Sequence, residues 1–201
     1  MKKAKKPIWK DYFYYDETSP SCLRWATEIR RGSKYQIIVK LNGDIAGGAG
    51  VHGYWKIQLQ GVVYSAHRII WEMYYGEICE GFQIDHINGI RDDNRISNLR
   101  CVTLTENARN HTMNSNNCTG VVGVKLTNNG NNKFYYTSQY QCLEQGKKIQ
   151  THFSIDKYGK EEAFRLACEH RLNAINTMNS LGAGYTERHF ESAREVNNEL
   201  S

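Results

Sequence analysis

Asp85 and His86 stand side by side where a short apolar run gives out, in "FQIDHINGIRDDNRISNLR" (82–100), and Arg91, Arg95 and Arg100 follow closely. An imidazole with an intrinsic pKa near neutrality can take a proton from water. A carboxylate beside it offers a hard oxygen that suits Mg²⁺ or Mn²⁺ and not Zn²⁺. Asn107, one turn into the next expected helix, would supply a second oxygen. A metal with so few protein ligands keeps positions open for a phosphate and for water. One divalent ion, one imidazole base and guanidinium groups that hold a strand are the parts needed to hydrolyse a phosphodiester. The roles follow: His86 as base, Asp85 and Asn107 as metal ligands, and Arg91, Arg95 and Arg100 as the groups that position the strand.

Adjacent strand residues point to opposite sides, so Asp85 and His86 reach one small volume only where the strand bends. The Asn88-Gly89 pair makes such a bend easy. Strands are expected at 82–86 and 99–103 around a loop, and Thr103 and Glu106 have capping-box spacing for a helix behind them. That is a small ββα unit. Upstream, "YQIIVK" (35–40), "YWKIQLQ" (54–60) and "VVYSA" (62–66) alternate as short strands. The "NGDIAGGAGVHG" between the first two is a loop or wide hairpin turn, without the strand-then-helix context of a phosphate cradle. "AHRIIWEMYYG" (66–76) predicts a short helix with Ile69, Ile70, Met73 and Tyr74 on one face, Gly76 at its stop and a structural His67. Beyond the Asn-rich stretch 107–120, "VVGVKLT", "KFYYTSQYQC" and "KKIQTHFS" predict three antiparallel strands. A helix over 160–178 would lie across them through Phe164, Ala167, Cys168, Leu172 and Ile175.

Among 201 residues, 26 Lys and Arg against 21 Asp and Glu give a net charge of +5, a modest bias toward an anionic partner. No apolar stretch approaches a membrane span, and the basic start "MKKAKKPIW" has no apolar run behind it, so a cytosolic protein is expected. The six Cys form no C-x-x-C pair and have no zinc-site spacing; reduced thiols are expected. Glu187, Glu191, Glu195 and Glu199 would share one face of a helix and repel weakly, which reads as a solvated or frayed end.

"HR-x3-W", "IDHING", "DNR", "NLR" and "T-x-x-EN-x2-N" occur in that order within 54–111. Together they resemble the HNH endonucleases of the His-Me finger group, in particular the homing endonucleases of phages. The resemblance implies that His86 is the general base and that Asp85 and Asn107 bind the metal. It implies too that Asn98, the middle letter of the catalytic motif, braces the loop by hydrogen bonds. Asn107 stands where the last His often does, a change common among homing members. His111, on the same helical face, is a further candidate ligand, as in the toxin nucleases of the group. The paired Cys of zinc knuckles are missing, so no structural zinc is expected. Residues 119–171 are similar to the APETALA-type, or ethylene-response-factor, DNA-binding domain, three antiparallel strands packed on one helix, which reads the major groove with its sheet. By position, Lys125, Lys133, Tyr135, Gln139, Gln141, Lys147 and Gln150 would face DNA. The Arg and Trp positions typical of the plant domains are largely replaced, so only the fold carries over.

The expectation is an α+β protein: a β-rich, basic and aromatic extension (1–53), a ββα-metal core (54–111), a polar linker (112–118), a three-stranded sheet packed on one helix (119–178) and a tail (179–201). It would be a monomeric, site-specific endonuclease acting on double-stranded DNA by a one-metal mechanism, nicking with its single site. The competing class is a sequence-specific DNA-binding regulator on an inactive nuclease scaffold, against which the intact Asp85, His86 and Asn107 argue.

Overall fold

Short apolar runs broken by Gly, Asn and Ser can build only short strands, and the first unit is made of them. The computed structural model describes residues 6–31, 37–110 and 116–199, which fall into two units, 1–103 and 104–201. In the first, β1 (Phe13–Tyr15) pairs with β2 (Leu23–Trp25), and β3 (Ile29–Arg31) pairs with β4 (Ile37–Lys40). Next, β5 (Gly48–Ala49), β6 (Trp55–Leu59) and β7 (Val62–Ser65) form an antiparallel sheet in that order, and α1 (Ala66–Tyr75) follows. Finally β8 (Phe82–His86) pairs antiparallel with β9 (Leu99–Thr103). Positions 35 and 36 of the expected strand 35–40 lie outside the described residues.

One apolar core runs through this unit. Phe13, Leu23 and Trp25 from the first hairpin meet Ile57, Leu59, Ile69, Ile70, Ile84 and Leu99. The residues expected as an extension therefore share their core with the residues expected as the chemical centre. Glu72 on α1 fastens the chain start: its carboxylate accepts from the Trp9 indole at 2.6 Å and from Lys6 at 2.7 Å. The Gly-rich stretch lies directly on β6, since a Cβ at Gly47 (φ +94°) would stand 2.6 Å from the Lys56 carbonyl oxygen. Tyr74 departs from expectation: it is 51% exposed and meets Tyr15 edge-on at 5.3 Å instead of joining the core.

The second unit begins with α2 (Leu104–Arg109) and continues with β10 (Val124–Asn128), β11 (Phe134–Gln141) and β12 (Lys148–Ser154), an antiparallel sheet in that order. After the short α3 (Ile155–Tyr158), α4 (Lys160–Ser180) crosses the sheet, with Ala163, Ala167, Cys168, Ile175 and Met178 buried at helical spacing. Tyr136 on β11 packs on Phe164 with ring centres 4.9 Å apart. The mixed α+β class with small sheets is as expected. The acidic end is not. Residues Arg188–Glu199 form α5, whose Phe190 and Ala193 are buried with α4 side chains. Phe190 and Ala193 dock the helix while Glu187 and Glu191 remain exposed, an arrangement that counting Glu alone does not show. The six cysteines are free thiols, and burial pushes Cys22 up to about 11 and Cys168 up to about 12.

Phe190→Ala should therefore destabilise the protein by about 3–5 kcal/mol, the usual result of emptying a buried aromatic site. Chemical denaturation measures it; an unchanged midpoint would return the acidic end to the solvated state.

Candidate functional site

The register of β8 with β9 pairs Asp85 with Arg100 and His86 with Leu99, so the two candidate side chains leave the strand on opposite sides. On one side, Arg100 donates from Nε (3.1 Å) and Nη2 (2.8 Å) to Asp85 Oδ2. Both hydrogen bonds that Asp85 accepts from described residues fall on that one oxygen. On the other side, His86 is 3% exposed. Its ring packs against His67 at 5.1 Å, nearly perpendicular, and against Tyr54 at 6.0 Å.

His86 Nε2 lies 3.2 Å from Oδ1 of the fully buried Asn94. A carbonyl oxygen only accepts, so Nε2 carries the proton and Nδ1 keeps its lone pair. Burial lowers the His86 pKa below the ordinary histidine value, against opposing contributions from the Asn94 hydrogen bond and from Asp85, Asp93 and Asp92. The imidazole is thus neutral at pH 7, the form a base requires. His67 is pushed further, down to about 3, first by burial and then by His86, Lys56 and Arg68. Asn94 Nδ2 has no partner among the described residues, a local cost of about 1–3 kcal/mol for holding the amide in this orientation.

The loop that follows is tied down residue by residue. Gly89 takes φ +76° and its amide donates to the His86 carbonyl at 2.9 Å, a turn that a side chain would strain. Asn98 accepts from the Asn88 amide at 3.0 Å and donates to Asn88 Oδ1 at 3.0 Å and to the Asp93 carbonyl at 2.8 Å. Arg95 grips Asp93 with two bonds, Nε to Oδ1 at 2.7 Å and Nη2 to Oδ2 at 2.6 Å, and holds that carboxyl down at about 2. Arg91 lies over the Tyr54 ring at 5.2 Å and donates to the His52 carbonyl at 3.2 Å. Each of the three arginines expected at the strand thus has a partner inside this unit.

Asn107 stands on α2, in the second unit, and His111 lies outside the described residues. The helix is anchored by its last turn. Arg109 Nη1 donates to the Ala183 carbonyl at 3.1 Å. The buried Asn110 donates to Gly184 O at 3.1 Å, accepts from Thr186 N at 3.3 Å and offers its own carbonyl to Arg188. No group of three or more His, Cys, Asp or Glu side chains stands together among the described residues. In the sheet, register puts Lys125, Tyr135, Gln139, Gln141 and Gln150 on one face, together with Thr127, Thr137, Lys148 and His152. Lys133 and Lys147 immediately precede β11 and β12. Thr137 bonds both Thr127 (2.7 Å) and His152 Nδ1 (2.8 Å), a polar ladder across three strands. The sequence reading passed over Asn94 and the His67–Tyr54 surroundings of His86. Asn94 lies within the quoted "DNR", but a polar residue in a polar loop does not announce that it is buried.

A family model described as HNH endonuclease matches residues 64–109, from β7 to the end of α2. The match supports a nuclease, an enzyme class that acts on DNA and in general uses divalent metal ions. No curated protein and no solved structure matches the chain. No helix among the described residues is long and apolar enough to cross a membrane.

The buried imidazoles make stability depend on pH. Both histidines have lowered folded-state pKa values, so the unfolded chain binds more protons once the pH drops below about 6.5, and stability is lost on acidification. From His67 alone the loss at pH 5 should be about 2 kcal/mol. Thermal melts at pH 7 and pH 5 should show it, and His67→Phe should flatten the dependence.

Proposed function

We propose that the protein is a homing-type DNA endonuclease of phage origin that hydrolyses phosphodiester bonds with His86 as general base. The observation that carries the reading is the buried His86 with Nε2 3.2 Å from Oδ1 of the buried Asn94, within the segment that matches the HNH endonuclease model. Nδ1 takes a proton from the attacking water, and the imidazolium so formed is stabilised by the Asn94 carbonyl and the carboxylate of Asp85. Asn98 and the Asp93–Arg95 pair keep the loop from relaxing, so Asn94 stays where the ring needs it.

Asp85 and Asn107 would hold one Mg²⁺ or Mn²⁺, with His111 as a further donor. Two oxygen donors from protein fit a hard cation that retains water and substrate phosphate, and the Asp85 oxygen not engaged by Arg100 faces no donor among the described residues. When bound, such an ion stabilises charge on the phosphate and the leaving oxygen. Arg100 neutralises Asp85; were a cation held on Asp85, the guanidinium could instead pair with phosphate. In the second unit, the sheet on α4 serves as an APETALA-type reader through Lys125, Tyr135, Gln139, Gln141 and Gln150, with Lys133 and Lys147 at its edge. Gln amides match adenine edges, and Lys contacts phosphate or guanine.

Cleavage of supercoiled plasmid with Mg²⁺, with EDTA as control, tests the proposal. Nicked product is expected from the wild type, with a loss of at least about 100-fold in His86→Ala. Binding without cleavage across several plasmids, with Mn²⁺ as well, would instead favour the regulator. Asn94→Asp supplies a charged acceptor, which raises the His86 pKa. The acid limb of its pH–rate profile should move to higher pH, whereas a merely structural Asn94 would lower the rate without moving the limb.

A further inference from the structure

We infer that the second unit carries a built site for phosphates of the DNA backbone, a cleft of about 630 Å³ bounded by α2, the 116–124 segment and the open edge of β11. The inference rests on the nuclease reading for its ligand but not for its geometry. β11 runs to Gln141, while β10 starts at Val124, whose partner is Ser138. Gln139–Gln141 therefore have no strand beside them on that side. Their backbone groups are met by other means: the Gln139 amide donates to Gly123 O at 2.8 Å, Arg171 Nη1 donates to Gln139 O at 2.7 Å, and the Gln141 amide donates to the Tyr185 hydroxyl at 3.2 Å.

Arg171 is the unusual member. It is 3% exposed, and its guanidinium lies over the Tyr185 ring at 5.1 Å. Its partners are a carbonyl and an aromatic ring, both uncharged; no carboxylate pairs with it among the described residues, and Nε has no acceptor. A buried cation without a counter-charge is costly, and an anion bound from outside would supply the missing charge. The surroundings are shaped for it. Gly123 has φ +83°, and a Cβ there would lie 2.5 Å from Arg171 Nε. Arg109, Lys125 and Lys148 line the same cleft, and none of the described lining residues is Asp or Glu. The space exceeds one phosphate group, and it opens beside the sheet face that presents Lys125, Gln139, Gln141 and Lys148. Its other wall is α2, where Arg109 stands two residues from Asn107. A strand held here runs from the reading face toward the helix that offers the candidate metal ligand.

The experiment is binding of the full chain to a duplex of about 30 base pairs in EDTA, followed by anisotropy from about 50 to 300 mM KCl. Lys125→Gln/Lys148→Gln should reduce the slope of log K against log salt by about 1.8, and Arg171→Met by about 0.9, with affinity lowered uniformly across DNA sequences. If Arg171→Met fails to fold by circular dichroism, the double Lys variant decides. Folded variants that keep the wild-type slope overturn the cleft, and plasmid cleavage by that same wild type leaves the nuclease intact. A wild type that never cuts, yet loses slope on these substitutions, overturns the nuclease and keeps the cleft. Inorganic phosphate that raises the melting temperature as much as the duplex does, at matched ionic strength, would make this a small-anion site and overturn the backbone assignment.

Discussion

A buried imidazole can serve as a base only if one of its nitrogens is committed as a donor and the other is left with its lone pair. In this protein the bond between His86 Nε2 and Asn94 Oδ1 makes that commitment. The rest of the first unit follows from it. Burial among His67 and Tyr54 favours the neutral ring, and the Asn94 contact selects which nitrogen is left basic. Holding Asn94 requires the loop, and the loop is held by Asn98, by the Asp93–Arg95 pair and by the Ile96 amide on the Tyr15 hydroxyl. That last contact reaches the first hairpin. The N-terminal strands therefore brace the loop that holds His86 and are not an appendage to it.

The charges in this region are mostly internal. Arg95 and Asp93 satisfy each other, Arg100 balances Asp85, and Arg91 covers Tyr54. Charged hydrogen bonds of this kind are worth more in stiffness than in net stability, because each partner gives up hydration to form them. The second unit follows a different rule. Its helix α2 ends in a buried asparagine bonded to the 183–188 segment, so the residues around Asn107 depend on a turn far along the chain. The 183–188 segment thus holds the end of α2.

Much of this was legible in the sequence, for reasons that differ by element. Strands β6 to β9 and helix α1 carry alternation or a glycine stop, and each lies within two residues of its expected place. Asp85 and His86 at a strand end suggested a chemical centre, and Asn98 joined them through the resemblance of the surrounding motifs to HNH endonucleases; their chemical roles are a proposal. The first hairpin was hidden: three-residue strands such as Phe13–Tyr15 are too short to show a period. Helix α5 was hidden by its acidic residues. Asn94 was hidden because its role is tertiary: nothing local distinguishes a buried asparagine from the exposed ones beside it. The buried charge of Arg171 was hidden likewise, since on a helix of mixed polarity an arginine reads as solvated.

The most direct test of the account is the protonation state of His86 itself, followed by nitrogen-detected NMR of the ring across the acid range. A single neutral tautomer, protonated at Nε2 and bare at Nδ1, is expected to persist below the pH at which an ordinary histidine titrates. A ring that is protonated at Nδ1, or that titrates as a free histidine does, would contradict it.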